Sequence, residues 1–249
     1  MHWLSAHAIT GRLHLALALC ALALSGCATV PNPDARDPWE SWNRGVFGFN
    51  DAMDKAVLKP VATGYQKVTP SLVQKGVTNF FGNLTDMWSV VNNALALKGR
   101  ETGDSLGRVM LNTTVGLLGV VDVASDLGVE RHTADFGLTL ARWGVKSGPY
   151  VVLPLLGPST LRDTVGWPVD NWGNPVNLIA DEQSRTGAVV LKVVDTRAQL
   201  LGAGQVLEGA ALDKYTFVRD AYLQRRRNQV YDGNPPDEDS APASDEAVE

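Results

Sequence analysis

The run Leu24-Ser25-Gly26-Cys27 closes a 12-residue apolar stretch and sets the surroundings in which the rest of the chain must fold. Residues 13–24 are rich in leucine and alanine, too few to span a bilayer, and preceded by Arg12, the pattern of a secretory leader. Small residues stand just before Cys27, so cleavage there makes Cys27 the new N-terminus, the site of acylation in a lipobox. Cys20 suits this role less, because Leu19 occupies the junction where a small residue is needed. The alternative is an ordinary signal peptide with a chance cysteine. Each buried CH₂ contributes about 0.8 kcal/mol, so two or three acyl chains hold a protein at a membrane almost permanently. Residues 1–26 are therefore expected to be removed, leaving N-acyl and S-diacylglycerol groups on Cys27. Ala28, where an aspartate would favour inner-membrane retention, points to the outer membrane.

Lipidation of Cys27 and loss of Cys20 leave the mature chain no disulfide, and His132 is its one histidine. A Cys/His zinc cluster is thereby excluded. A Ser-His-Asp hydrolase site would have to use His132, and no Gly-x-Ser-x-Gly elbow serves it. No catalytic or metal-binding residue is assigned. With the leader gone, 21 basic residues face 27 acidic ones, a poor balance for binding nucleic acid. The cluster Arg225-Arg226-Arg227 is the exception; its default roles are to complement a helix dipole or to lie near anionic headgroups.

Four segments follow: a leader at 1–26, a Pro/Asp/Asn tether at 27–37 expected to be unstructured, a body at 38–231, and an acidic tail at 232–249 expected to be disordered. The body reads as all-α. Thr69-Pro70 predicts a helix to about Phe81, with Gly82 as its stop, followed by a second helix over 84–97. A third starts near Thr102, with Leu106, Val109, Met110 and Thr113 spaced as one apolar face. Thr160-Leu161-Arg162-Asp163 reads as a helix start, and long helices are expected over 185–201 and 206–230. Tyr150 begins an extended stretch, and little or no sheet is expected.

No mature segment approaches 18 uninterrupted apolar residues, yet several helices are unusually apolar. Two accounts compete: a soluble lipoprotein with a buried core, or a helical body sunk into one leaflet. Periodicity does not separate them.

Motif blocks run in order along the chain: Asp37-Pro38-Trp39-Glu40-Ser41-Trp42-Asn43-Arg44, Asn79-Phe80-Phe81-Gly82-Asn83-Leu84, the run from Gly148 to Asp163, Asp195-Thr196-Arg197-Ala198, and Tyr215 through Arg226. Together they resemble the MlaA (VacJ) family of outer-membrane lipoproteins. The resemblance implies a non-enzymatic, all-α disc or ring of amphipathic helices embedded in one leaflet around a central channel. It implies trimeric porins and a periplasmic lipid-binding shuttle, MlaC, as partners, and misplaced phospholipids as cargo. A purely structural porin-associated lipoprotein and an envelope phospholipase are the competing functions.

Charges in such a body should face a wet cavity or a partner charge. The channel-wall candidates are Arg44, Asp51, Arg108, Asp122, Arg162, Asp163, Lys192 and Asp195, with salt bridges or helix caps as the plainer reading; Lys192 and Asp195, three apart, are placed to pair. Gly116, Gly119 and Gly128 bracket an apolar segment and are candidates for a hinge or for close helix packing. Trp39, Trp42, Trp88, Trp143, Trp167 and Trp172 are candidates for a headgroup belt or for core packing.

Overall fold

The computed structural model describes residues 34–236, so the leader, Cys27 and the end of the acidic tail lie outside the described residues. The body begins with α1 (Glu40–Met53), a π-helical turn (Asp54–Leu58), α2 (Lys59–Val68) and the long α3 (Ser71–Leu95). Next come α4 (Gly99–Thr114), short α5 (Val123–Asp126), α6 (Phe136–Arg142), and a hairpin of β1 (Tyr150–Leu153) and β2 (Gly157–Thr160). It ends with α7 (Leu161–Trp172), a 3₁₀ turn (Pro175–Leu178), α8 (Glu182–Gln199), α9 (Leu201–Ala210) and α10 (Lys214–Val230). The all-α expectation holds, with one antiparallel hairpin added.

Short polar side chains start half of these α-helices by accepting from backbone N–H groups that would otherwise be orphaned. Asp122 caps α5, Asp135 caps α6, Thr160 caps α7, Asp181 caps α8 and Asp213 caps α10. Asp213 also explains why the helix expected over 206–230 is two helices. Its carboxylate accepts from Tyr215 and Thr216 and starts a new helix, so α9 ends at Ala210. The stop expected at Gly82 is absent, and α3 runs through it. A Cβ there would lie 3.1 Å from the Arg131 guanidinium nitrogens, so the missing side chain makes room for Arg131 within an unbroken helix.

The polarity of the faces is inverted. In α4 the expected apolar face carries Leu106 and Met110, which are 47% and 59% exposed, while Ser105, Arg108 and Asn112 form the buried stripe. In α3 the buried stripe is Asn83, Asp86, Ser89, Asn92 and Asn93, with Phe81 the one buried apolar residue; Leu72, Val91 and Leu95 face outward. α8 exposes Val189, Val190, Leu191 and Val193. Apolar cores are small: Val46, Tyr150, Val152 and Tyr215 form one, and Ala62, Ala198 and Leu201 another.

Polar side chains do the joining. Asn43 donates to the Tyr150 carbonyl (3.1 Å) and accepts from Val152 N (2.8 Å). Asn50 repeats this two turns later, donating to the Leu153 carbonyl (2.9 Å) and accepting from Leu155 N (2.8 Å). Seven residues of helix rise about 10.5 Å and three of strand about 10 Å, so the two asparagines meet the strand in register. The ordered body also takes in residues 34–37 of the expected tether. Asp37 is fully buried, held by Asn43 (2.7 Å), by Tyr215 and by Arg219 (3.5 Å).

Candidate functional site

Two polar cavities share a wall. The smaller, about 230 Å³, lies between α3, the connector 131–133 and α8, and its lining includes Thr78, Asp86, Arg131, Lys192 and Asp195. The larger, about 960 Å³, is enclosed by the C-terminal end of α3, the start of α4, α6 and α10. Arg131 and Thr133 line both.

A closed ring of ion pairs supports that wall. Arg108 donates to Asp86 (3.1 Å) and, through Nη2, to both oxygens of Asp122 (2.8 Å each). Arg131 approaches the same two carboxylates at 3.2 and 3.4 Å. Burial pushes the Asp122 carboxyl up, but hydrogen bonds from Ser125, Asn112 and Arg108 outweigh it and hold the group well below the usual carboxylate range. Replacing such a ring with apolar groups would cost little in principle, so its value is a fixed geometry.

Of the expected channel residues, Lys192 and Asp195 line the smaller cavity, and Arg108 and Asp122 buttress it through the ring. Lys192 and Asp195 do not pair with each other as their spacing allowed. Asp195 instead accepts from Tyr65 (3.1 Å), Thr78 (3.0 Å) and Gln199 (2.7 Å), while Lys192 has no hydrogen bond or ion pair among the described residues. Arg44 and Asp51 lie elsewhere, tying α1 to the start of α10. Arg44 pairs with Glu40 and Asp213 (2.7 Å each), and Asp51 pairs with Lys214 and Lys55. Asp163 joins α7 to α10 by accepting from Arg226 (2.8 Å) and Tyr222 (2.9 Å), with Arg162 beside it at 3.1 Å.

The glycines differ among themselves. Gly116 sits in a tight turn, where a Cβ would meet the Val121 carbonyl oxygen at 2.1 Å. Gly119 has φ +91° and abuts Asn83, where a Cβ would approach to 2.5 Å; Gly128 has φ +77° and open space around it. Close packing thus describes Gly116 and Gly119. Between them Leu117 and Leu118 also adopt positive φ and are exposed. Trp39, Trp42, Trp143, Trp167 and Trp172 are exposed, whereas Trp88 turns inward and donates to Asp170 (2.7 Å).

Asp86, Arg131 and Arg219 were not singled out from the sequence, and Arg226, expected to serve the helix dipole or lie near headgroups, is instead buried and paired with Asp135 (2.6 Å) and Asp163 (2.8 Å). Asn79, Asn83, Asp86, Ser89 and Asn93 recur at helical spacing, a polar stripe that a search for apolar faces passes over.

The model of the family described as MlaA lipoprotein matches residues 35–229. The chain is 35% identical to the intermembrane phospholipid transport system lipoprotein MlaA of Escherichia coli, over 84% of this chain and 85% of that one. It is 32% identical to the protein of the same name from Haemophilus influenzae, over 86% and 89%. A solved structure presented as the structural basis for maintenance of bacterial outer membrane lipid asymmetry superposes with a TM-score of 0.68. It is 35% identical and covers 80% of this chain and 99% of its own. With its family match spanning nearly the whole described body and its relatives aligned almost end to end, this chain belongs to the MlaA lipoprotein family.

Proposed function

We propose that this protein is a phospholipid conduit of the outer membrane. Anchored through acyl groups on Cys27, it sits in the periplasmic leaflet with its apolar helix faces against acyl chains. It draws misplaced phospholipids out of the outer leaflet and passes them to a periplasmic lipid carrier of the MlaC kind, working beside a trimeric porin. The observation that carries this reading is the inversion of polarity, with large apolar side chains outside and asparagine, aspartate and arginine inside around two cavities that share Arg131 and Thr133. A phospholipid has a charged head and apolar tails, so its route must offer water on one side and hydrocarbon on the other. Helices suit such a site because each satisfies its own backbone in lipid. Among the described residues no helix is long and apolar enough to cross a membrane, which agrees with a seat in one leaflet.

The test is the phospholipid content of the outer leaflet in cells lacking the gene. Surface phospholipid should rise, and the intact gene should reverse it where Cys27→Ala does not. Unchanged surface phospholipid in the deletion strain would refute the conduit.

A further inference from the structure

We propose that Lys192 is the seat for the phosphate of a phospholipid headgroup in transit, a subsite that rests on the conduit reading above. Lys192 lies in mid-helix on α8 and lines the smaller cavity. The anions of that cavity are already satisfied. Asp86 faces Arg108 (3.1 Å) and Arg131 (3.2 Å), and Asp195 takes three neutral donors. Lys192 is partly buried, and its ammonium has no acceptor among the described residues. Burial alone pushes its pKa below that of a free lysine, so the fold carries a desolvated cation whose counter-charge is missing. A phosphodiester supplies that charge.

The surroundings fit an amphiphile. Val189 and Val193, on the same helix three residues before and one after Lys192, are exposed, so apolar surface for acyl tails lies close along the chain. A cavity of about 230 Å³ falls below the ~300–1,000 Å³ of sites for drug-sized ligands, so it takes a headgroup and leaves the diacyl portion outside.

The test uses full-length lipidated protein in neutral detergent micelles, with lysines ¹³C-dimethylated and the Lys192 resonance assigned by its loss in Lys192→Met. That resonance should titrate below the ~10.4 of a free lysine. Phosphatidylethanolamine or phosphatidylglycerol in the micelle should shift it upward by at least one pH unit, and diacylglycerol should not. Inorganic phosphate should need at least tenfold higher concentration. In deletion cells Lys192→Arg should clear surface phospholipid and Lys192→Met should clear at least fivefold less. An equal response to diacylglycerol, or to phosphate at the lipid's concentration, would overturn the headgroup assignment. So would full clearance by Lys192→Met in a strain whose deletion raises surface phospholipid; there the conduit stands and only the subsite falls.

Discussion

Arg108 is 1% exposed, and its guanidinium is satisfied by Asp86, Asp122, the Ser125 hydroxyl and the Val129 carbonyl. Truncating it strands Asp86, itself 1% exposed, beside a single arginine. Arg108→Met should therefore cost about 3–5 kcal/mol, read by urea unfolding in detergent. Lys192 predicts the opposite sign. Its folded pKa lies below its unfolded one, so its proton opposes folding at every pH where it is charged. Lys192→Met should raise the melting temperature of lipid-free protein. Asp122 works the usual way for a carboxylate. Its folded pKa is depressed, so its contribution is complete above an unfolded value of about 3.9 and fades as pH falls toward the folded one. Thermal melts from pH 6 to pH 3 should show the wild type losing stability faster than Asp122→Asn, which starts lower.

At the scale of elements, the link between α1 and the hairpin rests on two asparagines set seven residues apart. Gly119 and Gly128 both occupy left-handed backbone, but only Gly119 is crowded. Gly128→Ala should cost about 1–2 kcal/mol from backbone strain alone. Gly119→Ala should cost clearly more, because its Cβ would be driven into Asn83. Proline at 119 is worse still, since φ +91° is closed to it and the Gly119 N–H donates to the Asn112 carbonyl (2.8 Å). Helix starts were legible in the sequence where a cap is local, as at Thr160, whose hydroxyl accepts from Asp163 N. The break before Asp213 rests on a cap of the same local kind, which a single helix read over 206–230 passed over; the passage through Gly82 was not legible, because it depends on the distant Arg131. Helical spacing gave α4 its two faces but not which one points inward. That choice depends on the solvent, and amphipathicity is symmetric until the solvent is known.

The whole molecule inverts the rule for a body in water, where large contiguous apolar surface is rare and buried polar groups are the exception. Family membership and helical class were legible because they rest on ordered blocks of residues. The ion-pair ring around Arg131 was not, because it joins Asp86, Arg108, Asp122 and Arg131 across several elements. If hydrocarbon is the outer solvent, Trp172, which is 82% exposed, should be quenched strongly by brominated acyl chains, and Trp88 weakly. The most direct check of that outer solvent removes the proposed covalent anchor and asks whether the body still seeks grease. Sedimentation of the full-length Cys27→Ala chain, with and without detergent, separates the cases. The account predicts a detergent-bearing monomer that aggregates when detergent is withdrawn; a monodisperse, detergent-free monomer in plain buffer would contradict it.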